Sequence, residues 1–371
     1  MGDDPRRLVL TIFPSFAVGG AQARFASIAN HFANRFRHGV VALNGDISSR
    51  ERIDPGVRID YPTIAFKKGD TLGNRGAFRR YLRETRPDVL VTCNFGSLDW
   101  VLANTPKLVR HLHVEDGFGP DERVRQIPRR VWLRRVLLRG SPVILPSRTL
   151  LAIAADVWRL PRKNLRYIPN GIDLTRFGAA MPETRWPDGG GPVIGSVAAL
   201  RAEKNLGRLI RAFAQVARAV PCHLAIIGDG PERAILQALA AGLGIADRVT
   251  FTGHVAAPQG LYRGMDIYAL SSDTEQMPMT VLEAMAAALP IAGTDVGDVS
   301  GMVAEENRRF IVPLSDEALA ASLRSLVDDL VLRTALGVAN RAKVERDYDQ
   351  QIMFDAYAAL FDDLPVSPRH P

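Results

Sequence analysis

The sequence predicts an α/β protein made of two doubly wound parallel sheets, and three observations carry that expectation. Short β-rich runs alternate with helical stretches, the alternation restarts after a glycine- and proline-rich segment near the middle, and 371 residues suffice for two domains with separate cores. Composition agrees with an ordinary folded chain, at 47% hydrophobic and 23% charged residues. No apolar stretch approaches the ~18 to 20 residues of a membrane span, and the acidic start Met1-Gly-Asp-Asp carries no secretory signal pattern. A cytoplasmic location is therefore expected.

The strand candidates of the first half are Leu8–Phe13, Val40–Leu43, Val89–Thr92, Leu108–Leu112, Val143–Leu145 and Leu165–Ile168. Helical stretches between them imply crossover connections and parallel pairing. The first strand runs into a turn containing Gly19-Gly20-Ala21-Gln22, then a helix with Phe25, Ile28, Ala29 and Phe32 on one face. Glycines at a strand-to-helix turn let backbone approach a ligand closely, although a plain tight turn needs them too. The spacing is not that of a dinucleotide fingerprint.

Further on, Arg110-His-Leu-His-Val114 follows the alternation of a strand, so His111 and His113 share a face. His113 falls at the expected carboxyl end, where α/β sheets bind ligands; a histidine closing the strand structurally is the alternative. The segment 121–140 interleaves seven arginines, Arg123 to Arg139, with Val131, Trp132, Leu133, Val136, Leu137 and Leu138. Such a basic amphipathic helix can lie on an anionic membrane surface, or be a solvated helix with one core face.

The second half opens with Val193–Val197 and the loop Ala198-Ala-Leu-Arg-Ala-Glu-Lys204, then a helix through Leu209, Ile210, Phe213 and Val216. A positive loop at a strand's carboxyl end suits an anion whose charge grows during reaction; a helix-capping loop is the plainer reading. Leu224–Ile227 leads into the turn Gly228-Asp-Gly-Pro231, and Val249–Thr252 follows. From Asp316 the pattern is helical to Leu364, ending on an amphipathic stretch with Phe354, Tyr357 and Phe361.

The most informative stretch is Glu275-Gln-Met-Pro-Met-Thr-Val-Leu-Glu283, after the strand Ile267–Leu270. Pro278 suits a first helical turn, so Glu275 is expected in a loop and Glu283 on the helix. A fully helical path would separate the two carboxylates by roughly 12 Å. Between them lie N–H groups at a helix N-terminus, which attract anions. A surface helix acid and a solvated loop charge would produce the same letters.

In this order, these motifs resemble the family 4 retaining glycosyltransferases of GT-B fold, also called group 1 glycosyl transferases. The resemblance covers nearly the whole chain and includes Pro169-Asn170-Gly171, Asp173 and Phe177. It implies two Rossmann-like domains facing a cleft: 1–180 for the acceptor, a linker at 181–191, 192–349 for the donor, and a helix at 350–365 crossing back to the first domain. It implies a hexosyltransferase moving a sugar from a UDP- or GDP-linked donor to a glycan or lipid-linked acceptor, as in cell-surface polysaccharide or glycolipid assembly. On the matching positions Glu275 would address the transferred sugar, with backbone of Met277, Pro278, Met279 and Thr280 beside it. Glu283 would hold the ribose, and Lys204 the diphosphate. His113 would touch donor or acceptor. Gly19, Gly20, Gly228 and Gly230 would approach the ligands.

One position departs from the pattern. The family's loop has an arginine where Ala199 stands here, and Arg201 is expected to take over that charge. The departure keeps open a non-catalytic nucleotide-sugar-binding or scaffold protein, beside an epimerase or phosphorylase on the same fold. No metal or other cofactor is expected, since no Cys/His cluster occurs and Asp347-Tyr-Asp349 reads as surface charge. Net charge of +7 favours anionic partners, but the arginines lack the aromatic platforms of a nucleic-acid reader. Cys93 and Cys222 read as core thiols of a reducing compartment.

Overall fold

The computed structural model describes residues 5–67, 70–122, 125–177, 186 and 190–362. The chain forms two compact units, Met1–Pro169 with Met353–Pro371, and Asn170–Ile352. The sequence expectation set the first boundary later, at 180 with a linker at 181–191. Most of that linker, and the tail at 366–371, lie outside the described residues.

The first unit holds a seven-stranded sheet of β1 (Arg7–Phe13), β2 (Phe36–Ala42), β3 (Ile59–Asp60), β4 (Val89–Cys93), β5 (Arg110–Val114), β6 (Val143–Leu145) and β7 (Leu165–Tyr167). Its order is β3-β2-β1-β4-β5-β6-β7, and the paired strands run parallel. Six consecutive buried residues in β1 show why a strand covered on both faces reads as a continuous apolar run. Helices lie on both faces. One face packs Phe13, Phe16 and Phe25, whose rings meet at 5.1 to 5.6 Å. Trp100 stacks on Phe78 on the other, with centroids 4.4 Å apart.

The second unit holds β8 (Val193–Val197), β9 (His223–Ile227), β10 (Val249–Gly253), β11 (Ile267–Leu270), β12 (Ile291–Thr294) and β13 (Ile311–Val312). Their order is β10-β9-β8-β11-β12-β13, again parallel. In each sheet the strand order reverses beside the first strand, between β1 and β4 and between β8 and β11. Loops leaving the carboxyl ends on either side of such a point diverge and leave a crevice, which is where open α/β sheets take ligands.

One expected boundary shifts, and two features go beyond what the sequence reading stated. The strand expected at Leu108–Leu112 is β5 at Arg110–Val114, so His113 lies inside the ladder, opposite Thr92 and Val143. The helical region after Asp316 is three helices, Asp316–Asp328, Leu330–Asp347 and Gln350–Asp362. Asp329 starts the second by accepting the Leu332 N–H at 2.9 Å. The edge strands β3 and β13 have two residues each, too few to show a period.

The helix Gln350–Asp362 inserts Met353, Phe354, Tyr357, Leu360 and Phe361 into the first unit's core. There Phe354 stacks on His31 with centroids 4.0 Å apart. Cys93 and Cys222 are both buried and free.

Beneath this helix His38 is buried with neither ring nitrogen bonded among the described residues. Burial, and then Arg6, depress it to about 4. His111 is driven to about 3 by burial, then by His113 and Lys107. Both rings are therefore neutral when folded and gain a proton on unfolding below about pH 6.5. The unfolded chain binds more protons in that window, so stability falls with pH from about 6.5 toward 4. The His38 share is on the order of 3 kcal/mol, from a shift of about 2.5 pKa units. Denaturant unfolding between pH 7 and 4.5 is expected to show this loss, and His38→Leu to reduce its slope by about one proton. An unchanged slope in His38→Leu would remove His38 as the cause.

Candidate functional site

In the second unit the loops after β8 and β11, on either side of its switch point, are tied by side chains. Lys204 Nζ lies 2.5 Å from Glu275 Oε1. Ser272 Oγ donates to the same carboxylate oxygen at 2.7 Å. Arg208 holds Asp273 at 2.8 Å, and Asn205 Nδ2 donates to it at 3.0 Å. The backbone adds Asp273 N–H to Glu203 C=O at 2.9 Å. Side-chain exposures of 26% for Lys204 and 11% for Glu275 leave the pair partly open to solvent, so an incoming anion can compete for the ammonium.

After this loop Pro278 stands at the N-cap of the helix Met279–Ala286, one position before the first turn expected for it, and offers no side-chain cap. The first N–H groups of that helix have no acceptor within it. Met277 is turned inward, where its carbonyl accepts from Asn170 Nδ2 at 3.2 Å. The Pro-Asn-Gly turn thus braces the loop that carries Glu275.

Glu283 sits one turn along the same helix and is held by a residue the sequence reading missed. Tyr262 OH donates to Glu283 Oε2 at 2.6 Å. Tyr262 is fully buried against Phe177 and Tyr268. Burial, and then the Glu283 charge, push its hydroxyl well above the usual phenol range, so it remains a donor. Nothing in the spacing of 262 and 283 signals this contact, because it joins two different helices.

Glycine positions explain how the loops approach each other. A Cβ on Gly228, which has φ +139°, would lie 1.9 Å from the Ala198 carbonyl oxygen, and one on Gly230 would lie 2.5 Å from that of Leu200. Both glycines therefore let the β9 turn press against the 198–205 loop. Gly297, at φ +57°, does the same for the backbone of Glu275 and Gln276. Arg201 and Ala199 are both exposed on that loop, and among the described residues Arg201 makes no ion pair.

In the first unit Gly19 caps the helix Gly20–His31 in an extended conformation. That helix carries Arg24, which grips Asp116 through two nitrogens at 2.6 and 2.9 Å. His113 was expected to face a ligand but is fully buried. Its Nδ1 meets Thr92 Oγ1 at 2.8 Å and its Nε2 meets Glu115 Oε2 at 3.2 Å. The same Thr92 hydroxyl meets His111 Nε2 at 2.8 Å, and His111 Nδ1 meets Ser141 at 2.6 Å.

Glu115 leads to the arginine-rich segment, where the helix spans Pro128–Leu137 and Arg123 lies outside the described residues. Arg134 is wholly buried, bonded to Glu115 at 3.3 Å and to Glu122 at 3.1 Å. Its guanidinium lies over Phe95, Phe118 and Trp158. Arg130 pairs with Asp121 and Glu122, and Arg135 bonds the carbonyls of Val157 and Trp158. Of the six described arginines, Arg134 is thus internal and Arg130 and Arg135 are tied down while partly exposed. What remains outside is Arg125, Arg129 and Arg139 around Trp132, 58% exposed, and Val136, 49% exposed.

Among the described residues no group of three or more His, Cys, Asp or Glu could hold a metal ion, and no helix is long and apolar enough to cross a membrane.

Residues 18–176 match the model of Glycosyltransferase Family 4, and residues 182–343 that of Glycosyl transferases group 1. Over 160 residues the chain is 31% identical to the lipopolysaccharide core biosynthesis glycosyltransferase LpsD of Rhizobium meliloti, covering 43% of this chain and 46% of that protein. Over 228 residues it is 29% identical to a GDP-mannose-dependent alpha-(1-6)-phosphatidylinositol monomannoside mannosyltransferase of Mycolicibacterium smegmatis, covering 57% and 59%. The chain thus spans about half the length of the curated relatives it matches. Among solved structures, a glycosyltransferase from Rickettsia africae superposes with a TM-score of 0.81 at 14% identity, covering 96% of this chain and 98% of that one. Anabaena HepE in complex with UDP and glucose gives 0.79 at 18%, covering 97% and 100%. These likenesses show the GT-B fold.

Tyr262→Phe keeps the ring and removes the donor to Glu283. On the reading that Glu283 serves a nucleotide, titration with UDP and GDP is expected to show affinity about tenfold or more weaker, as for one lost hydrogen bond to a charged group. Unaltered affinity would separate Tyr262 from the nucleotide site.

Proposed function

The chain belongs to the family 4, group 1 glycosyltransferases, and from that premise we propose that it transfers a hexose from a UDP- or GDP-linked donor, with retention of configuration, to a glycan or lipid-linked acceptor. The observation that carries this reading is the Lys204 and Glu275 pair at the switch point of the second unit, beside a helix N-terminus and the braced Glu283.

In the proposed mechanism Glu283 accepts hydrogen bonds from the ribose hydroxyls. The diphosphate takes Lys204 away from Glu275, with Arg201 adding charge from the exposed loop. The freed Glu275 carboxylate then receives hydroxyls of the transferred sugar. The bond from the anomeric carbon to the diphosphate breaks, a bond from that carbon to the acceptor oxygen forms, and the acceptor's proton leaves with the diphosphate. Charge gathering on the leaving group is met by Lys204 and by the N–H groups at the start of the helix Met279–Ala286, a stabilisation that grows toward the transition state. In this proposal Lys204 and Arg201 supply the positive charge that meets the diphosphate.

Calorimetric titration with UDP, GDP and ADP and with UDP- and GDP-sugars, first without metal and then with magnesium, tests the donor half. One nucleotide is expected to bind selectively without metal. Glu275→Ala should retain that affinity within about threefold while turnover falls by at least about a hundredfold. Glu283→Ala should weaken nucleotide binding about tenfold. Binding of a nucleotide sugar with no transfer to any acceptor would instead favour a non-catalytic role, and failure to bind any nucleotide would remove the reading.

For the acceptor half, the outer face of the helix Pro128–Leu137 suits contact with an anionic membrane. Arg129, Trp132 and Val136 share one face at helical spacing, with Arg125 and Arg139 beyond its ends. The substitutions Arg125→Gln, Arg129→Gln, Arg139→Gln and Trp132→Ala together should abolish sedimentation with phosphatidylglycerol vesicles and leave nucleotide affinity intact. Undiminished sedimentation would remove the membrane contact.

A further inference from the structure

Two donors converge on one oxygen of the Glu275 carboxylate. Lys204 Nζ lies 2.5 Å from Oε1, and the Ser272 hydroxyl donates to the same atom at 2.7 Å. Among the described residues no hydrogen bond reaches Oε2. The glutamate side chain is 11% exposed, so this second oxygen is the one open to a ligand.

Ser272 is placed independently of the lysine. It follows the end of β11, and Thr294 Oγ1, at the end of the neighbouring strand β12, donates to its carbonyl at 2.6 Å. Ser271 and Ser272 are both 1% exposed, but their hydroxyls serve different ends. Ser271 donates to the Lys204 carbonyl at 3.0 Å, an ordinary tie between two loops. Ser272 spends its donor on a carboxylate, which makes a stronger, charge-assisted bond. The spacing Ser272-Asp-Thr-Glu275 is that of a capping box, yet no helix starts there, since the next one begins at Met279. The contact therefore closes no helix end.

Its consequence concerns what happens when Lys204 is engaged elsewhere. A glutamate has three rotatable side-chain bonds, and a carboxylate anchored only by an ammonium follows it or spreads over rotamers when the ammonium moves. Ser272 stays where β12 holds it. With Oε1 fixed by the hydroxyl, Oε2 keeps one direction, and a reacting group meets it without a search.

We propose that Ser272 is a positioning residue of the transfer step. It anchors Glu275 Oε1 while Lys204 is drawn to the diphosphate, so that Oε2 receives a hydroxyl of the transferred sugar. The inference rests on the transferase reading and adds a residue that acts through Glu275.

The test is steady-state release of nucleoside diphosphate by the full chain from whichever UDP- or GDP-sugar binds, with water as the acceptor. Ser272→Ala is expected to lower kcat about tenfold or more, as for one lost hydrogen bond to a charged group. KM for the donor should stay within about threefold and affinity for the bare nucleotide should be unchanged, because the diphosphate and ribose contacts remain. In a Glu275→Ala background Ser272→Ala should cost nothing further, since residues acting as a unit are not additive. A merely structural serine would instead raise KM and add its loss to that of Glu275→Ala. If Ser272→Ala fails to fold, Ser272→Cys, of similar shape and with a weak donor, decides the matter by the same comparison. Wild-type kcat in the folded variant, a loss confined to KM, or an equal loss in the Glu275→Ala background would each overturn the proposal. Absence of release by the wild type, or full release by Glu275→Ala alone, would overturn the transferase reading, and this assignment with it.

Discussion

The Lys204 and Glu275 contact is the interaction on which the second unit's site depends. Opposite charges 2.5 Å apart and mostly shielded attract far more strongly than the same pair in water, yet each has lost hydration to be there. Such a pair is a poor source of stability and a good latch. It holds two loops at the ends of β8 and β11 in register. The neighbouring contacts, Arg208 to Asp273 and Asn170 to the Met277 carbonyl, tie the same loops independently of that pair.

The first unit solves a different problem, how to bury charge beside an apolar sheet. Arg134 is inside the protein at no exposure, a position that only paired charge tolerates. Glu115 and Glu122 satisfy it from two sides, and His113, Thr92, His111 and Ser141 continue the chain of hydrogen bonds into the sheet. Removing one member would strand another, so the network fixes the helix Pro128–Leu137 against β5. The same helix therefore carries two chemistries. Arg130 and Arg134 on it pair with Asp121, Glu115 and Glu122, whereas Arg129 and Trp132 face outward.

Much of this was legible in the amino-acid order. Alternating short apolar runs and helical stretches gave two parallel sheets, because a parallel strand must be buried on both faces and must return through a crossover. Glu275, Glu283, Lys204 and the glycine turns could be placed after the carboxyl ends of strands, because there sequence position and spatial position coincide. The Gly228 turn was read as approaching a ligand, whereas its closest neighbour is the Ala198 carbonyl. His113 lies one position before the end of β5 and not just past it, and its burial follows from Thr92 and Glu115, which no strand boundary announces.

The chain's own letters thus determined the architecture and the chemical types gathered at strand ends, since periodicity and turn residues act over a few positions. Only the tertiary structure decided which charges are spent inside. Arg129 and Arg134 look alike in a row of seven arginines, but one faces outward and the other is enclosed by Glu115, Glu122 and three aromatic rings. Tyr262 on Glu283 and Arg24 on Asp116 belong to the same class, contacts across 21 and 92 residues. No local pattern encodes them, because desolvation and pairing are set by whatever the fold brings alongside.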